Sequence, residues 1–145
     1  MHGNLNIKHV ILSKVKNIKY YYIDKDESIN QQTDKIAAII NNNCDMLILN
    51  GQNATSDKFL NIAKQTRQLC SIFNVVLIID ERCDIAKIVD SDGIVLSNCS
   101  YSTNDAKKIV DDDKLFGIYC NKNNESIEDI DFTLFKDKII IRKLW

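Results

Sequence analysis

The segment Leu69–Asn98, LCSIFNVVLIIDERCDIAKIVDSDGIVLSN, limits the possible folds more than any other part of the chain. It reads as a helix end, a buried strand, an acidic loop, a short helix and a second buried strand. The run Val75, Val76, Leu77, Ile78 and Ile79 is too short for a membrane span and too β-branched for a comfortable helix. Such a run suits a central parallel strand covered on both faces. Asp80, Glu81, Arg82 and Asp84 then crowd the carboxyl end of that strand, where α/β folds place their ligand sites.

Strand-like and helix-like runs alternate elsewhere too, the pattern of βα units and a parallel sheet. Ile7–Leu12 reads as an extra strand, and Tyr20–Ile23 as the next. Ile29–Asn43 places Ile36, Ile39 and Ile40 at helical spacing, and Met46–Leu49 is a buried strand followed by the loop NGQNATS. Asp57–Phe73 is the best helix, with Phe59, Leu60, Ala63, Leu69 and Ile72 on one side and Ser56 as its expected cap. Ile85–Val89 reads as a short helix capped by Asp84, Gly93–Leu96 as a strand, and Ser102–Asp111 as a helix capped by Ser102 or Thr103. Leu115–Tyr119 is a strand, Ser126–Leu134 a weak helix and Lys138–Ile141 the final strand.

With 145 residues, no linker and no low-complexity tract, residues 1–145 are expected to form one α/β domain. A net charge of −1, from 19 basic and 20 acidic residues, gives no field that would recruit nucleic acid or a membrane surface. The N-terminus MHGNLNIKHV lacks a secretory core, so a cytoplasmic location is expected. The five cysteines (Cys44, Cys70, Cys83, Cys99 and Cys120) are odd in number and never spaced C-x-x-C. They are expected to be free thiols in a reducing compartment. His2 and His9 have no Cys, Asp or Ser partner in a motif. Tyr20, Tyr21 and Tyr22 offer a stacking platform as one reading, but alternate rings are expected to pack against helices instead.

The order of these pieces resembles the thiamine-phosphate synthase/TenI superfamily of (β/α)8 barrels from about Lys19 to Asn121. The stretches ILNGQNATSDKFLNIAK, LCSIFNVVLIIDERCDIAK, SDGIVLSN and FGIY carry the likeness. The resemblance implies a parallel sheet of about six βα units laid out as an incomplete TIM-like barrel, with an open doubly wound sheet as the alternative. In that family an Arg and a Lys on the second strand hold the diphosphate of the pyrimidine substrate; Asn50 and Gln52 stand there in this sequence. The family's magnesium-binding Asp after the third strand falls on Glu81, beside Asp80, and its second carboxylate falls on Ser100. The fifth-strand serine that contacts phosphate falls on Tyr119, and no seventh or eighth unit follows the sixth strand.

The expected ligand-binding residues are therefore Asn50, Gln52, Asp80 and Tyr119, with Asp80 and Glu81 as a magnesium site if the acidic run is not simply a solvated loop neutralised by Arg82. The expected function is a divergent member without ordinary thiamine-phosphate synthase activity, a binding module for a small phosphorylated or neutral ligand or an assembly module. The alternative is an enzyme of thiamine metabolism with an altered substrate, using the Asp80/Glu81 metal site. Six units in an eight-unit layout leave edges at the strands near Tyr20 and Lys138, and the terminal RKLW ends on an aromatic ring. Both features lead to an expected homodimer or higher homo-oligomer.

Overall fold

The computed structural model describes residues 3–97, 103–119, 130–136 and 138–142. Helix α1 (Gly3–Ser13) precedes β1 (Ile18–Tyr22), α2 (Ile29–Ile40), β2 (Met46–Asn50), α3 (Ser56–Phe73) and β3 (Val76–Asp80). Then come α4 (Cys83–Val89), β4 (Gly93–Leu96), α5 (Thr103–Ile109), β5 (Leu115–Tyr119), β6 (Phe132–Phe135) and β7 (Lys138–Ile141). The seven strands lie in sequence order, β1 to β6 parallel and β7 antiparallel to β6. Strand order never reverses, so the sheet curls as part of a βα barrel and is not the doubly wound alternative.

Side-chain alternation sorts the strands onto two faces. Leu47, Leu49, Leu77, Ile79, Phe116 and Ile118 join residues of α2 to α5 in one buried cluster, which makes this the convex, helix-covered face. Ile18, Met46, Ile48, Ile78, Val95 and Phe132 form a second cluster on the concave face, with Leu12 of α1 buried among them. Phe132 fills the space over Gly117, where an added Cβ would lie 2.3 Å from the ring.

Ile7–Leu12 lies within a helix and is not a strand. Its apolar residues are not all buried: Leu12 enters the concave cluster, while Ile7 and Val10 stay exposed. Ser126–Leu134 was expected to be helical, but Phe132–Phe135 is a strand; residues 120–129 lie outside the described residues. Three of its four residues are buried, and burial between two layers overrides a weak helical pattern. Lys138–Ile141 is therefore the return strand of a hairpin and not the sixth parallel strand. The edges nonetheless fall where the sequence placed them, on β1 and β7.

Two caps also differ from expectation. Thr55, one residue before Ser56, caps α3 by accepting from Lys58 N at 3.2 Å. Helix α4 begins at Cys83 with no side-chain cap, so Asp84 sits in its first turn, where its charge complements the helix dipole. Thr103 opens α5, and Ser102 lies outside the described residues. Cys44, Cys70 and Cys83 are free and buried, and burial pushes the Cys70 thiol up to about 12; Cys99 and Cys120 are outside the described residues. Among the described residues no helix is long and apolar enough to cross a membrane.

Helix α1 is held by a buried ion pair. Lys8 Nζ donates to Asp131 Oδ2 at 3.1 Å, with Asp131 only 2% exposed, and the same oxygen accepts from Phe116 N at 2.9 Å. At the other side of the sheet the Tyr20 hydroxyl donates to the Lys136 carbonyl at 2.5 Å, tying β1 to the β6–β7 turn. Replacing Lys8 with Met leaves a buried carboxylate without its cation, which costs about 3 kcal/mol. A urea-unfolding midpoint for Lys8→Met indistinguishable from that of the parent would show that this ion pair does not hold α1.

Candidate functional site

Asn50, Asp80 and Tyr119 are the last residues of β2, β3 and β5, and each shares the parity of the concave-facing residues of its strand. Curling of the sheet brings them together at its carboxyl end. Asp80 is 6% exposed. Its Oδ2 accepts a short hydrogen bond from the Tyr119 hydroxyl and another from Asn50 Nδ2 at 3.0 Å. Asn50 Oδ1 accepts from Gln52 N at 3.0 Å, so the amide clamps the start of the following loop while its other end serves Asp80. Gly51 lets that loop approach α3: a Cβ there would meet the Phe59 ring at 2.4 Å.

Gln52 enters this network through its backbone, and its side chain is on the exposed surface. Glu81 does not line up with Asp80. Its backbone is left-handed, with φ 66°, so the chain turns sharply after β3. That conformation is uncommon for a residue with a side chain and is held here by neighbouring structure. Glu81 N donates to Val95 O at 2.9 Å, and Glu81 Oε1 accepts from Ser97 N at 2.7 Å, bracing the ends of β3 and β4. Arg82 forms a two-point pair with Asp84, at 3.0 and 2.8 Å, and reaches Ser56 Oγ at 3.2 Å. Ser100 lies outside the described residues, as does His2, while His9 is exposed on α1.

Burial pushes the Asp80 carboxyl above its ordinary range. The Glu81 charge adds to that effect, against the lowering influence of the Tyr119 and Asn50 hydrogen bonds. Burial also pushes the Tyr119 phenol up, and the Asp80 charge raises it further. Both effects favour the protonated phenol that donates to Asp80.

The pair Asp80 and Glu81 does not fit a magnesium ion in this arrangement. One carboxylate oxygen of each is already an internal acceptor, and the two side chains are turned to different partners, Asp80 to Tyr119 and Asn50 and Glu81 to Ser97 N. No group of three His, Cys, Asp or Glu residues able to hold a metal occurs among the described residues.

Two further residues complete the concave mouth. Tyr20 and Tyr22 stand on the same face of β1 with rings near parallel, 12° apart in plane and 6.4 Å between centroids. Tyr22 pairs in register with Asn50, and both tyrosines lie near enough to Tyr119 to oppose its ionisation. Tyr21 points the other way, buried, its hydroxyl donating to Gln32 Oε1 at 3.0 Å. Alternation along β1 was the signal for this division. Nothing local marked Ser97, whose backbone N–H meets Glu81 only because β4 lies beside β3.

The family model described as thiamine monophosphate synthase matches residues 20–133. A thiamine-phosphate synthase of Clostridium novyi (strain NT) is 29% identical over 114 residues, covering 77% of this chain and 56% of the relative. One from Clostridium tetani (strain Massachusetts / E88) is 31% identical over 80 residues, covering 55% and 38%. Among solved structures, thiamine phosphate pyrophosphorylase from Pyrococcus furiosus superposes with a TM-score of 0.67 at 18% identity, over 81% of this chain and 58% of that one. That likeness concerns the fold. The chain spans about half the length of the Clostridium novyi relative.

The raised Asp80 pKa has a consequence for stability. Between the ordinary carboxylate range and the raised native value, the folded protein binds more protons than the unfolded chain, so stability falls as pH rises through that window. Asp80→Asn keeps an acceptor for Tyr119 and removes the buried charge, so the variant is expected to be at least as stable as the parent at pH 7. The advantage should shrink below the carboxylate range. Melting temperatures measured across pH check this, and a variant less stable at neutral than at acidic pH, relative to the parent, contradicts it.

Proposed function

We propose that this chain, which belongs to the thiamine monophosphate synthase family, binds a small ligand at the carboxyl end of its curled sheet without carrying out the ordinary coupling reaction. One observation carries the reading. Among the described residues no Lys or Arg occupies a concave-facing strand position, and the strand ends offer the hydrogen-bonded set Asn50, Asp80 and Tyr119.

Releasing diphosphate from a pyrimidine substrate requires positive charge placed in advance around the leaving group. Asn50 supplies an amide already shared between Asp80 and Gln52 N, and Gln52 lies on the exposed surface. Lys136 is near the mouth, but its ammonium lies over the Phe135 ring, 5.7 Å from the centroid. Phe135 alternates with the concave-facing Leu134, which carries that ammonium to the other side of β6. Asp80 acts in this reading as a hydrogen-bonding group, not as a metal ligand. We place the protein in the cytoplasm. We also propose that it associates with a second copy through the β1 or β7 edge, since unpaired strand edges invite pairing.

Incubation with the pyrimidine diphosphate, the thiazole phosphate and magnesium is expected to yield no thiamine phosphate. Millimolar magnesium with pyrophosphate is expected to leave the melting temperature unchanged, because a ligand raises it only by preferential binding to the folded state. Product formation that is lost in Glu81→Ala, or a magnesium-dependent rise lost in Glu81→Gln, would instead establish the metal-dependent enzyme.

A further inference from the structure

At the opposite, amino end of the sheet lies a cavity of about 560 Å³. It is bounded by the ends of α1 and α3 and by the residues that lead into β2, β3 and β4. Its volume falls in the range of small-molecule sites, which set a few polar groups in an apolar lining. Val15, Val75 and Val76 supply apolar surface, and Lys14, Asp45 and Arg67 bring charge to the same space.

Two of these charges are uncompensated. Asp45 Oδ2 accepts from Lys16 N at 3.0 Å, Asn17 N at 2.8 Å and Asn17 Nδ2 at 3.5 Å, all neutral donors. Among the described residues its carboxylate has no ion-pair partner, and neither does the exposed Lys14 ammonium. The two share one cavity without meeting each other. Arg67 is partly committed: Nε donates to Ser71 Oγ, and Nη1 to Asp90 O and Asp92 Oδ2, each at 3.2 Å. Its Nη2 has no acceptor among the described residues. A simple anion entering here meets Asp45, and a simple cation meets Lys14. A ligand with both charges satisfies each side at once, and opposite charges attract more strongly as water is displaced.

We propose that this amino-end cavity binds a zwitterionic aminocarboxylate with an apolar body. Its ammonium lies against Asp45, its carboxylate against Lys14 and Arg67 Nη2, and its body against Val75 and Val76. The site is separate from Asn50, Asp80 and Tyr119 at the carboxyl end of the same sheet and does not depend on a ligand there.

Amide NMR titration of the intact, isotope-labelled chain tests this with L-leucine and aminocaproate, which carry the two charges at short and long spacing. Isocaproate and isopentylamine are the single-charge analogues of the first, caproate and hexylamine those of the second. At least one zwitterion is expected to bind about threefold or more tightly than both its analogues, the size of effect that partly exposed ion pairs give. It is also expected to shift the amides of Asp45, Asn74 and Val76, which line the cavity. Lys14→Met, at an exposed position, and Asp45→Asn, which keeps an acceptor for Asn17 N, are each expected to lose that preference.

Zwitterions that bind no more tightly than their single-charge analogues overturn the proposal, as does the absence of any shift at millimolar concentration. A preference that survives in Lys14→Met overturns it too, because the ligand would then sit elsewhere; that variant decides the matter even if Asp45→Asn fails to fold.

Discussion

A parallel sheet has to hide both of its faces, and this requirement organises the whole molecule. Helices α2 to α5 cover the convex face in the ordinary way. On the concave face the fold uses its own side chains, with Phe132 lying across Gly117 and Leu12 of α1 entering beside Ile18 and Met46. Helix α1 is anchored by charge as well as apolar contact. The Lys8–Asp131 pair is nearly dry, and Asp131 also receives Phe116 N, so one carboxylate joins α1, β5 and the segment before β6. Removing either partner would leave an uncompensated charge in the interior, a heavier loss than a missing methyl group.

The same requirement explains which elements the sequence announced. Buried runs such as Met46–Leu49 and Val75–Ile79 are nearly continuous because both faces are covered, and they read directly as central strands. Gly93–Leu96 and Leu115–Tyr119 were legible for the same reason. The misread elements lie where that rule fails. Ile7–Leu12 has strand-like apolar density, but only part of it is buried, against the concave cluster. Phe132–Phe135 is four residues long, beside a charged stretch that dilutes its pattern, and it becomes a strand because β5 offers it a parallel partner. Lys138–Ile141, with its alternating burial, is the pattern of a hairpin arm, and alternation alone did not tell a sixth parallel strand from a return strand.

Much of the candidate site was legible as position and little of it as geometry. The carboxyl ends of β2, β3 and β5 do bring Asn50, Asp80 and Tyr119 together, because strands of a parallel sheet all end on one side. Sequence separation gave no hint that Asp80 Oδ2 would receive both donors or that Glu81 would turn away to Ser97. That turn depends on a left-handed backbone at Glu81, a conformation adjacent residues do not advertise when the position is not glycine. Gln52 illustrates the converse: two residues past Asn50 it keeps the right parity, but the chain has left the strand, and parity no longer fixes direction.

The chemistry of the mouth follows from where charge is neutralised. Among the described residues near the strand ends, Arg82 pairs with Asp84 and reaches Ser56, Lys58 donates to the Lys25 carbonyl and Lys136 lies over the Phe135 ring. Inward among the described strand ends stands a carboxylate that accepts from an amide and a phenol, with the Tyr20 and Tyr22 rings on β1. Burial makes that carboxylate costly to ionise, and the hydrogen bonds from Tyr119 and Asn50 recover only part of the cost.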